Sequence, residues 1–183
     1  LNISAQRRVK PLTFGVSGGA GISNLNDGDG NSADMKFSYQ LGMSMDVAFT
    51  PNIYLFSGLE FASKGSKIDV EQEGATTKFD ISGQYLQVPM YVGCKFDIAN
   101  AYSRLVFAMG PYFAYGIGGK TTIEDGELSN KINTFDMIKK FDWGIGGRMG
   151  MEFGQMHIEL VVNLGLVKGF KYAEEKGRMA SAY

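Results

Sequence analysis

From residue 37 to residue 49 every odd position is apolar (Phe37, Tyr39, Leu41, Met43, Met45, Val47, Phe49), and Ser38, Gln40, Gly42, Ser44, Asp46 and Ala48 lie between them. A period of two belongs to a strand with one dry and one polar face. Six further segments repeat it, at 13–23, 53–62, 85–96, 104–117, 141–153 and 158–166. Each approaches the ~9–11 residues that cross a bilayer as a tilted strand. The connections alternate: those around Pro51-Asn52, 97–101 and 154–156 are short, while 24–35, 64–84 and 120–140 are long and polar. Short turns on one side and long loops on the other mark an outer-membrane barrel with its N-terminus on the periplasmic side. The fold expected is all-β, an antiparallel up-and-down transmembrane barrel of eight strands, seven of them visible.

A soluble, lipocalin-like barrel also has one dry and one polar face, so the two faces must be told apart. The polar face is crowded with Gly, Ser and Ala rather than Lys, Glu and Thr. Small residues suit the tight interior of an eight-stranded barrel. The dry face carries no charge in any of the seven segments, as expected where a mid-membrane Arg or Lys costs about 2–4 kcal/mol. The dry face is therefore assigned to lipid, with Trp143 and several Phe in aromatic girdles and Cys94 in unreactive lipid contact. The charges on the polar face nearly balance. Asp46, Glu60, Asp142, Glu152 and Glu159 are expected to pair with Lys64, Lys95, Arg104 and Arg148, because buried charges persist only when partnered. Such an interior network plugs the lumen.

Four stretches resemble the small outer-membrane β-barrels of Bacteroidetes called PorT-like: YLQVPMYV (85–92), MGPYFAY (109–115), FDWGIGG (141–147) and NLGL (163–166). The resemblance runs over nearly the whole chain from Phe14. It implies the barrel fold and a link to protein secretion through other envelope proteins. The chain departs from that pattern in showing no final strand. Residues after Leu166 read as a fourth long loop, and a closing strand, commonly ending in an aromatic, is expected beyond Tyr183. Pro89 and Pro111 lie mid-strand, where each removes a ladder hydrogen bond, so bulges or local gaps are expected there. Residues 1–12 are read as a signal-peptide remnant or periplasmic segment, and 13–183 as the barrel domain.

Other chemistries fit less well. AYGIGGKT (114–121) matches a phosphate-binding loop, but a polar, turn-like stretch follows where the motif needs a helix. Asp27, Asp29 and Asn31 echo a calcium loop, yet Ser32 stands where Gly is required and Ser38 where the bidentate Glu belongs. The single histidine, His157, falls beside a short turn, at the end opposite to the loops where barrel hydrolases work, and reads as an interfacial polar residue. A net charge of −1 gives no basic field for nucleic acid. Residues 134–140 are expected to form a short helix.

The function expected is a non-catalytic outer-membrane barrel with a plugged lumen, without cofactor or metal. It acts as a structural, assembly or surface-interaction component with a link to secretion. Its partners are outer-membrane lipid and lipopolysaccharide, and envelope or secretion proteins met through the long loops. Two alternatives remain: a membrane-embedded lipid-modifying enzyme, and a soluble lipocalin-like binding barrel. Extracted in mild detergent, the protein should run faster unboiled than boiled on a denaturing gel. A soluble protein with no such shift would reverse the assignment of faces.

Overall fold

Strands with one dry and one polar face can curl into a closed wall that turns the dry face to lipid, and a computed structural model of the chain has that form. It describes residues 11–27, 34–72, 75–98, 103–125, 128–137, 139–167 and 177–183. The elements are β1 (Leu12–Asp27), β2 (Asp34–Ala48), β3 (Ile53–Gln72), β4 (Ala75–Ile98), β5 (Ser103–Asp125), β6 (Leu128–Asn133), α1 (Thr134–Met137), β7 (Phe141–Phe153), β8 (Met156–Gly165) and β9 (Gly177–Ala182). The sheet order is β4-β3-β2-β1-β9-β8-β7-β5-β6, and β4 also pairs with β5. Eight antiparallel strands thus close a barrel, and β6 folds back on β5 beyond its rim.

The closing strand is β9, which corrects the expectation that it lies beyond Tyr183. It arises from the segment read as a loop because Gly177-Arg-Met-Ala-Ser-Ala182 is dominated by small residues with little apolar contrast. It joins β1 through Ile22↔Ala182 to Asp27↔Gly177, and β8 through Val162↔Ala182 to Leu164↔Ala180. Val161 and Tyr183 exchange backbone hydrogen bonds of 2.5 and 2.6 Å just below.

Two of the polar connections are largely strand. β3 and β4 remain paired out to Gln72↔Ala75, and β5 and β6 to Asp125↔Leu128. Above the membrane a strand no longer needs an apolar face, so the alternation fades while the ladder continues. The helix expected at 134–140 forms over Thr134–Met137. At Pro89 and Pro111 the ladders show gaps without any change of register. β3–β4 pairing skips from Ser57↔Met90 to Glu60↔Gln87, and β4–β5 pairing from Pro89↔Tyr112 to Val92↔Met109. The register shift in β4–β5 lies elsewhere, between Gln84 and Tyr85. Gly154 turns β7 into β8 with φ of 61°, a conformation L side chains rarely adopt.

The dry faces point outward. Phe37, Met43, Val92, Met109 and Ile158 are exposed, as is Trp143 at 43%. Positions between them, such as Tyr54, Glu60, Gln87, Tyr112 and Asn163, are buried. An apolar exterior around a polar interior is the inverse of a soluble protein and fits lipid surroundings. Met43, midway along the lipid-crossing part of β2, supplies a test. Met43→Lys should destabilise the barrel by about 2–4 kcal/mol in urea unfolding from lipid vesicles. Unchanged stability would show that this face meets water.

Candidate functional site

The functional candidates lie on the inward face, where the strands bring charges and rings together in successive levels. At the short-turn end, Lys95 Nζ of β4 is 2.9 Å from Asp46 Oδ2 of β2 and 3.0 Å from Glu152 Oε2 of β7. Arg104 of β5 holds the other oxygen of Glu152, so one cluster ties four strands across the bore. Lys95 also sits over the Tyr54 ring at 4.5 Å. In the next level, Arg148 Nε donates to Glu159 Oε2 at 2.6 Å, and the guanidinium lies 3.5 Å from the Phe56 ring centre.

Two hydrogen-bonded pairs follow. Gln87 Nε2 donates to Glu60 Oε2 at 3.2 Å, and the Tyr91 hydroxyl donates to Asn163 Oδ1 at 2.8 Å. Toward the extracellular end, Lys64 Nζ stands 3.5 Å from Asp142 Oδ2, whose same oxygen accepts from the Tyr112 hydroxyl at 3.0 Å. Lys64 is only 3% exposed. The faces of Tyr112 and Tyr85, 4.5 and 5.5 Å from its ammonium, replace part of the lost hydration. α1 then lays Phe135 edge-on against Tyr85 with ring centres 5.6 Å apart. The Thr134 hydroxyl donates to the Ser82 carbonyl at 2.7 Å and meets Thr121 Oγ1 at 3.0 Å. Lys36 pairs with Asp80 nearby.

These side chains fit because the strands opposite or beside them carry glycine. A Cβ on Gly144 would stand 2.8 Å from Tyr112 Cε1, and one on Gly93 2.6 Å from Tyr54 Cε1. The small residues of the polar face thus leave room for rings and long cations.

A family model for the outer membrane protein beta-barrel domain matches residues 4–171. The chain belongs to this outer-membrane barrel family. Its location is the bacterial outer membrane. Two solved structures of Ail, the attachment invasion locus protein of Yersinia pestis, are similar to this barrel. One is 15% identical with a TM-score of 0.36, covering 95% of this chain and 95% of that chain. The other, Ail in complex with the heparin analogue sucrose octasulfate, is 13% identical with a TM-score of 0.38, covering 92% of each. No curated protein matches this chain.

Of the residues expected in the interior, the barrel gathers Asp46, Lys95, Arg104 and Glu152 at one level and joins Arg148 to Glu159. Asp142 meets Lys64. Glu60 stands apart: among the described residues it has no cation within ion-pairing distance, and it takes a hydrogen bond from its ladder partner Gln87. His157, exposed beside the short turn, lies 3.5 Å from Glu159 and 3.9 Å from Glu152. Its inward parity in β8 was the available signal. Phe135 and the Lys36–Asp80 pair were missed because both depend on how the segments beyond the membrane fold back. The stretch AYGIGGKT lies within β5, with Thr121 buried against α1, and forms no phosphate cradle. Asp29 and Asn31 of the calcium-like stretch lie outside the described residues, as do residues 1–10. Among the described residues no three His, Cys, Asp or Glu gather as a metal site would.

Removing one partner of a buried pair leaves an uncompensated charge, which costs about 3–5 kcal/mol. Asp142→Ala should destabilise by that amount in urea unfolding, because Lys64 is stranded. The double variant Asp142→Leu with Lys64→Met should recover most of the loss. Equal stability of Asp142→Ala and wild type would mean that the pair is hydrated.

Proposed function

We propose that this protein is a non-catalytic outer-membrane barrel, plugged by its own side chains, that works through the part standing outside the membrane. The observation carrying this reading is the succession of ion pairs and rings from Asp46–Lys95 to Phe135, with members from opposite sides of the bore. An eight-stranded barrel has an interior that side chains just fill, and apart from Glu60 the inward carboxylates named above are locked to cations. The paired extensions of β3, β4, β5 and β6 supply the surface for contact with other molecules.

The motifs shared with PorT-like barrels support a narrower role, as a Bacteroidetes envelope component linked to protein secretion. Lipid and lipopolysaccharide surround its apolar belt, and envelope or secretion proteins meet its extracellular hairpins. Reconstituted in planar bilayers, the barrel should give no discrete conductance steps, and stable steps would overturn the plug. Deletion of the gene should impair export of secreted cargo, and normal export would remove the secretion role.

A further inference from the structure

Among the described residues, the charges of the lumen leave one carboxylate over. Lys64 holds Asp142, Lys95 and Arg104 hold Asp46 and Glu152, and Arg148 holds Glu159. Each of these carboxylates thus has a cation of its own, and Glu60 does not. On β3 it stands midway between Phe56, over which Arg148 lies, and Lys64. The charges of Arg148 and Lys64 reach Glu60, but each is already neutralised by its own partner. Glu60 is only 4% exposed.

Its immediate neighbours add oxygen and no charge. On one side β4 sets Gln87 opposite Glu60; on the other β2 sets Gly42 opposite it, with Gln40 two residues along on the same face. Diagonal neighbours of that kind lie roughly 7–8 Å apart, within reach of long side chains. A Cβ on Gly42 would stand 2.9 Å from Glu60 Cγ, so the glycine makes room for the glutamate. Gln87 is fully buried and Gln40 is 6% exposed. Gln87 donates its amide N–H to Glu60 Oε2 at 3.2 Å, which leaves its own Oε1 beside the carboxylate. Among the described residues, neither that oxygen nor Gln40 Oε1 receives a hydrogen bond.

A buried carboxylate without a counter-charge is strongly disfavoured, and each buried acceptor without a donor adds to the cost. Amide hydrogen bonds ease that cost but leave the charge in place. One ion answers both needs. We infer that Glu60, Gln87 and Gln40 form a mid-lumen site for a single monovalent cation such as sodium. Carboxylate and carbonyl oxygens are the ligands of hard cations, and the single charge of Glu60 sets the valence, because a divalent ion would leave excess positive charge in the same dry space. Two of the three ligands are amides, which distinguishes the site from the acid clusters that hold divalent metals. The ion is held rather than passed along, since Arg148 and Lys64 place positive charge on either side of it. It becomes a member of the lumen's filling and binds as the barrel folds.

The test follows urea unfolding of native protein in lipid vesicles at pH 7, with sodium chloride replaced stepwise by choline chloride at constant ionic strength. An ion bound only by the folded barrel raises the folding constant in proportion to its concentration once the site is saturated. A tenfold rise in sodium should then raise that constant about tenfold, whereas choline, too large for the site, should have no such effect. The response should vanish in Glu60→Gln. In Gln40→Leu, which keeps the charge and loses a ligand, it should begin at higher sodium, and an unchanged onset there overturns the three-ligand site. Equal stability of wild type in the two salts overturns the ion altogether. A sodium response that survives in Glu60→Gln overturns it too, by placing the ion elsewhere.

Discussion

The structure depends on one constraint: inside a bilayer every backbone N–H and C=O must find its partner within the protein. A sheet meets that demand only by closing on itself. The two mid-strand prolines show how narrow the tolerance is. Pro89 and Pro111 interrupt a ladder locally without displacing its register, so each gap stays confined to its immediate neighbourhood. The carbonyl of Pro89 is not abandoned, since the Ser57 hydroxyl donates to it at 2.9 Å.

Closure imposes the second condition. Eight strands enclose little space, and whatever faces inward is cut off from bulk water. The levels of the lumen are arranged so that each cation meets carboxylates or ring faces. Lys64 shows the logic most fully, with one carboxylate and two tyrosine faces around its ammonium. Buried ion pairs are in general weak evidence for stability, because a well-packed apolar filling is often as stable. They disfavour a change of register, because a one-residue slip of any strand would turn that strand's inward charges to lipid.

Most of the wall was legible in the sequence because lipid contact enforces strict alternation. The faces of β2, β4 and β7 could be assigned residue by residue, and the charges of the inner face followed from parity. Legibility ended where lipid contact ended. The upper parts of β3, β4 and β5 carry no enforced pattern and read as loops, and β9 is built of residues too small to show one. Parity also gave membership of the interior without partners. It placed Glu60 among the charges but could not show that its neighbour is an amide, because partners depend on stagger between strands. Phe135 entered the bore only through the fold of a segment outside the membrane.

β4 has 24 residues and β5 has 23, whereas about 9–11 suffice to cross a membrane. At ~3.3 Å per residue, more than half of that hairpin stands clear of the hydrocarbon as a continuation of the same ladder. A loop of that length would sample many directions, but a paired extension keeps its heading. The barrel is thus a footing, and β3 to β6 form a mast whose bearing is fixed by strands anchored in the bilayer. Anything that touched the far end of that ladder would be met at a set height above the lipid.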